Sequence, residues 1–130
     1  MGRLAIEKSH SEAGDCILAL DGRLDSESVA LFDERVAALL AEEPRSVILQ
    51  LADLEYISSA GLRSILKLKK ELSEREAVLK LVDVQAPVRK VIDLMGIFDE
   101  MDIFSKDESA DIYLDAVQRK EKYKDSDFPL

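Results

Sequence analysis

The chain has 130 residues, 47% of them apolar, enough for one domain with one core, and its glycines and prolines are too few for a linker-dominated protein. Its 18 basic and 27 acidic residues give a net charge of −9, which repels phosphate backbones and anionic lipid surfaces and argues against a direct nucleic-acid partner. No apolar run nears the ~18–20 residues of a membrane span, the N-terminus MGRLAIEKSH lacks a signal peptide's apolar stretch, and the lone Cys16 allows no internal disulfide, so the expectation is a cytoplasmic protein without membrane insertion.

Residues 4–8 and 15–20 read as two paired strands joined by the polar stretch 9–14, the first near a sheet edge because it is short and flanked by charge. Cys16, within DCILAL, reads as a buried small hydrophobe rather than a reactive thiol. Asp21-Gly22 follows, and then Asp25 and Ser26 are N-cap candidates for a helix with an apolar stripe of Val29, Phe32, Val36, Leu39 and Leu40. Pro44 ends that helix at or before Glu43.

Residues 46–51 come next as a strand covered on both faces, with Val47, Leu49 and Leu51 on one side and Ile48 on the other. Residues 56–61, Tyr-Ile-Ser-Ser-Ala-Gly, read as a loop that opens a helix over 62–72, with Leu62, Ile65, Leu66 and Leu72 inward and Arg63, Lys67 and Lys70 toward water. Lys67, Lys69 and Lys70 lie where the helix dipole favours cations. Ser58 and Ser59 thus stand at a helix mouth, whose first N–H groups lack intrahelical partners, a good place for a phosphate.

Residues 77–82 give a further strand, and Pro87 suits a first helical turn. Val88, Val91, Ile92 and Met95 form the next stripe, closed by Gly96 as a left-handed cap. Residues 101–104 read as a short edge strand. Ser105 and Glu108 have capping-box spacing before a last helix bearing Ala110, Tyr113, Leu114 and Val117. The tail 119–130 has no period and is expected to fray, leaving a domain over 1–118.

The order ββαβαβαβα predicts a single α/β domain with a mixed, mostly parallel sheet of about four to five strands and about four helices. Loops at the carboxyl ends of such strands meet ligands and partners, and the serine loop is one of them. A serine hydrolase is disfavoured: Ser58 and Ser59 lack the nucleophile elbow, and the only histidine, His10, sits in an early polar loop. One His with one Cys suggests no metal cluster, and neither a Walker sequence nor a dinucleotide fingerprint is present, so no metal and no cofactor is expected. Asp53 and Glu55 beside the serine loop read as solvated loop carboxylates.

The stretch 47–66, with Asp53, Ile57, Ser59, Gly61 and Leu62, resembles the STAS domains, specifically the stand-alone anti-sigma factor antagonists of bacteria. Two other segments are similar to the same family in the same order: LDGRLD at 20–25 and VRKVIDLMGIFDEMDIF at 88–104. The resemblance implies a non-catalytic partner switch. Such a protein binds a kinase-type anti-sigma factor and frees its sigma factor; the anti-sigma factor serine kinase then phosphorylates a serine at the start of the second helix, and a metal-dependent, PP2C-type serine phosphatase reverses the mark. The commonest family pattern reads Asp-Ser-Ser-Gly with the acceptor directly before the glycine, whereas this chain has Ser58-Ser59-Ala60-Gly61. A Ser-Ala-Gly variant maps the acceptor onto Ser59, with Ser58 second, and Asp25, Ser26, Ser58, Ser59, Ala60, Gly61 and Arg63 form the implied partner-binding surface. Capping alone is the competing role for Asp25, Ser26 and one of the two serines, and solvation that for Arg63. An alternative reading is a STAS subunit of a lipid-transport or sensory complex in which the serine loop is only structural.

Overall fold

The computed structural model describes residues 3–96 and the strand Ile103–Phe104. Five strands and three helices follow one another as β1 (Leu4–His10), β2 (Cys16–Leu24), α1 (Val29–Leu40), β3 (Ser46–Ile57), α2 (Ser59–Glu74), β4 (Val78–Val82), α3 (Ala86–Met95) and β5 (Ile103–Phe104). The strands lie side by side in chain order, β1 antiparallel to β2 and every later pair parallel. This is the mixed, mostly parallel α/β architecture the sequence predicts. The expected last helix with Ala110 and Tyr113, the frayed tail 119–130 and the domain boundary at 118 lie outside the described residues.

One apolar cluster holds sheet and helices together. Leu18 and Leu20 from β2, Val47 and Leu49 from β3 and Leu81 from β4 meet Phe32 and Leu39 of α1, Ile65, Leu68 and Leu72 of α2, and Val88 and Ile92 of α3. Ile48 and Val82, at opposite parity, are buried outside that cluster, as strands covered on both sides require. On α2, Leu68 is buried while Leu66 is only half so, a turn of the inward stripe toward the middle of the helix.

Both β2 and β3 run further than their sequence suggests. Strand β3 continues six residues past Leu51, to Ile57, because it carries two β-bulges. Ala19 faces Gln50 and Asp21 faces Asp53, so Leu51 and Ala52 together oppose Leu20; Gly22 faces Leu54 and Arg23 faces Tyr56, so Glu55 is a second extra residue. Each bulge sets one more residue on β3 than on β2, three against two at the first and two against one at the second. Leu51, Leu54 and Ile57 therefore all enter the core at a spacing that does not alternate. At the first bulge the Ala52 N–H is taken by the Gln50 side-chain oxygen, and the Ala52 carbonyl accepts from Gln85 Nε2 at 2.6 Å. The backbone groups that the ladder cannot pair are thus satisfied by two glutamines.

Strand β2 continues past Leu20 through Asp21-Gly22 to Leu24. Gly22 has φ +112°, and a Cβ built on it would overlap the Arg3 carbonyl oxygen, which accepts from Arg23 N at 3.1 Å. Gly22→Ala is expected to lower stability by about 2–4 kcal/mol, since strain and steric overlap add; urea unfolding with an unchanged m-value would measure it, and a shift within error of zero would show that the start of β1 yields.

Candidate functional site

The last register pair of β2 and β3 is Leu24 with Ile57, so the residues that follow each strand, Asp25 and Ser58, emerge side by side at the carboxyl end of the parallel sheet. The predicted six-residue loop contracts to one residue. Ser58, extended at φ −93° and ψ 174°, is the N-cap of α2, and Ser59 already lies in the helix. Three bonds hold Ser58 in place: its N–H donates to the Leu24 carbonyl at 2.9 Å, its Oγ accepts from Gly61 N at 3.1 Å, and its carbonyl accepts from Leu62 N at 2.9 Å. Ser58 is half-buried and is the cap; Ser59 and Arg63 are exposed.

Gly61 explains how the helix start comes so close to β2. A Cβ there would stand 2.6 Å from the Leu24 carbonyl oxygen and 2.8 Å from Leu24 Cγ, so only glycine lets the first turn rest on the strand end. Its role is close approach rather than an unusual φ. Ser59 and Ala60 contribute first-turn N–H groups for which helix geometry offers no acceptor, on the side facing away from the core.

Beside this tip lies the turn that enters α1. The regular helix begins at Val29 with Ser28 as its flanking residue, three residues later than Asp25 and two later than Ser26. The capping bonds nonetheless belong to Asp25: its Oδ1 accepts from Glu27 N at 3.0 Å and Ser28 N at 3.1 Å, while Ser28 Oγ accepts from Asp25 N at 3.0 Å. Asp25 and Ser28 make a reciprocal capping box over one extra turn, and Ser26 is exposed within it, not a cap. Burial raises the Asp25 carboxyl pKa, but the N–H groups of Ser28 and Glu27, the Ser28 hydroxyl and the Arg23 charge together bring it below its ordinary value. Arg23 Nε lies 3.7 Å from Asp25 Oδ2, and its guanidinium covers the Tyr56 ring at 4.1 Å from the centroid. Tyr56, 41% exposed, gives the tip an aromatic surface that a loop reading of residues 56–61 conceals.

At the opposite end of the sheet the structure joins residues the sequence keeps apart. His10 and Cys16 are register partners in the β1–β2 hairpin, and Glu42, just past α1, reaches both: His10 Nε2 is 3.1 Å and Cys16 Sγ 3.8 Å from Glu42 Oε1. The other carboxylate oxygen, Oε2, pairs with Lys8. Hydrogen bonds from Lys8, then from His10, lower the Glu42 pKa, whereas burial, then the Glu42 charge, raises that of the Cys16 thiol. Cys16 is buried, as its apolar flanks predict. Sequence spacing keeps His10 and Cys16 apart, whereas strand register and the end of a helix bring them together with a carboxylate.

Comparison with known proteins matches residues 6–110 to the STAS domain. The chain is similar to BtrV of Bordetella bronchiseptica, a protein provisionally named an anti-sigma factor antagonist, at 32% identity over 97 residues, 75% of this chain and 84% of that protein. It is 28% identical to an anti-sigma F factor antagonist of Paenibacillus polymyxa over 115 residues, 88% of this chain and 97% of the relative. A crystal structure of an anti-sigma factor antagonist from Mycobacterium paratuberculosis shares the fold with a TM-score of 0.74 at 18% identity, over 89% of this chain and 95% of that one.

Ser58→Ala is expected to lower stability by about 1 kcal/mol through loss of the cap, and Ser59→Ala to change it by less than about 0.5 kcal/mol; chemical denaturation of both variants checks the division. The lowered Asp25 pKa sets a second expectation. A carboxylate whose folded value lies below its unfolded one stabilises the fold above the unfolded value and loses that contribution as pH falls through the folded value. Asp25→Asn should therefore flatten the fall in stability below about pH 4, measured by urea midpoints across the acid range; an unchanged acid limb would deny the carboxylate that role.

Proposed function

The chain belongs to the STAS domain family, and on that footing we propose that it is an anti-sigma factor antagonist, a non-catalytic binding protein switched off by phosphorylation of Ser59. The observation that carries this reading is the exposed Ser59 hydroxyl in the first turn of α2, at the carboxyl end of the parallel sheet. The relatives support the class of partner: proteins named as antagonists match over 84% and 97% of their own length.

Ser59 suits the switch better than Ser58 for a physical reason. Ser58 Oγ is engaged by Gly61 N and half-buried, so modifying it would cost the cap, whereas Ser59 is exposed and its Oγ can be esterified without breaking a side-chain hydrogen bond among the described residues. A phosphoserine brings about −1.5 to −2 charge to neutral-pH solution. At the start of α2 the open N–H groups and the positive end of the dipole receive it. The docked partner bears the penalty: an uncompensated charge buried in an interface costs several kcal/mol, and about 1.4 kcal/mol is already tenfold in affinity.

In this reading the unmodified protein binds a kinase-type anti-sigma factor through Ser58–Arg63 and the neighbouring Asp25–Ser26 turn, with Arg23 and Tyr56 extending the surface. A serine phosphatase reverses the mark. Incubation with the cognate anti-sigma factor kinase and ATP should add the mass of one phosphate to wild type and to Ser58→Ala, none to Ser59→Ala, and Ser59→Asp should bind the kinase at least tenfold more weakly than wild type. A phosphate mapped to Ser58 alone, or equal binding of Ser59→Asp, would overturn the assignment.

A further inference from the structure

Independently of the serine loop, we propose that His10, Cys16 and Glu42 form a binding site for a divalent metal ion of the zinc class at the amino end of the parallel strands. The three donors are an imidazole nitrogen, a thiol sulfur and a carboxylate oxygen, the mixed set that zinc takes in tetrahedral sites. Their atoms all lie within 4.8 Å of one another. Metal–ligand bonds of about 2.0–2.3 Å at tetrahedral angles place neighbouring donors roughly 3.3–3.7 Å apart. The observed 3.1 Å from His10 Nε2 to Glu42 Oε1 and 3.8 Å from Cys16 Sγ to the same oxygen bracket that spacing. The ion would take the place of the hydrogen bonds that His10 and Cys16 make to Glu42.

The surroundings differ from those of a surface ion pair. Cys16 is buried at the start of β2, the strand next to the sheet edge, so the sulfur forms the floor of the site, while His10 and Glu42 are exposed and can close over it from the solvent side. Lys8 holds the Glu42 carboxylate by Oε2 and so aims Oε1 at the other two donors. Binding replaces the Cys16 S–H by a metal–thiolate bond and passes the thiol proton to solvent, and the hydrogen that His10 Nε2 donates to Glu42 moves to Nδ1 or to solvent so that the Nε2 lone pair faces the ion; no electron is transferred. Three protein donors leave a fourth position for water. The ion would clasp the β1–β2 hairpin to the segment that follows α1, far along the chain from either strand.

Titration of the tag-free, reduced full chain with Co²⁺ tests the site. Wild type should bind one equivalent with a near-ultraviolet thiolate-to-cobalt absorption, displaced by Zn²⁺, and Zn²⁺ should raise its melting temperature. Cys16→Ser should abolish the thiolate absorption. Because Cys16 is buried and its variant can lose stability for other reasons, the exposed positions decide: folded His10→Ala and Glu42→Gln should each bind Co²⁺ at least tenfold more weakly and lose the zinc-induced melting shift. Absence of the thiolate absorption in wild type at saturating Co²⁺, or affinities of His10→Ala and Glu42→Gln equal to wild type, would reduce the three residues to a hydrogen-bonded cluster and overturn the proposal.

Discussion

The structure depends on one contact, the seating of the first turn of α2 on the end of β2. The Leu24 carbonyl accepts from Ser58 N and lies against Gly61, so a strand end and a helix start share a single anchor. That seating requires β3 to arrive in register with Leu24, and β3 does so only by absorbing two extra residues in bulges. The glutamines that satisfy the first bulge, Gln50 and Gln85, come from β3 itself and from the residue preceding α3. Bulge, strand end and helix cap therefore form one mechanical unit, and the exposed serine is displayed by that unit rather than by a loose loop.

Legibility in the sequence follows the same physics. The alternation of Val47, Ile48, Leu49 and the stripe of α1 declare themselves because regular elements impose a fixed period, while the α3 stripe holds for Val88 and Ile92 but not for Met95, which is 50% exposed; Gly96 takes the left-handed conformation its position predicts, at φ +64°. LADLEYI conceals a strand because its buried residues fall three apart, a spacing that becomes periodic only once a partner strand supplies the bulges. Asp25 is readable as a capping residue, since its local bonds span three residues, but the later start of the regular helix at Val29 is not. Tyr56 and Arg23 meet across two strands, and His10, Cys16 and Glu42 across a hairpin and a helix; neither set leaves a local trace.

The sheet has two chemically different ends. At the carboxyl ends of β2 and β3 lie hydroxyls, a capped carboxylate and an arginine over an aromatic ring, groups suited to hydrogen bonds and charge pairing. At the amino end lie soft and borderline donors around an anionic carboxylate. Long strands separate the two, so a change at one end reaches the other only through a packed core that has little freedom to deform.

That stiffness decides what a charge at the helix tip can do. A negative group on a residue that contributed to the cap or to the core would unravel its own support, and the signal would be lost in unfolding. Here the supporting bonds belong to Ser58 and Gly61, and the exposed hydroxyl belongs to Ser59, one residue along. Alanine at position 60 fits the same division: it carries no hydroxyl to compete for modification, and its good helix propensity favours continuation of the turn that Ser58 begins. With the scaffold insulated, almost all of the electrostatic cost of the proposed modification would fall on a protein docked at the tip, and that is the condition under which a single modified side chain changes affinity without changing fold.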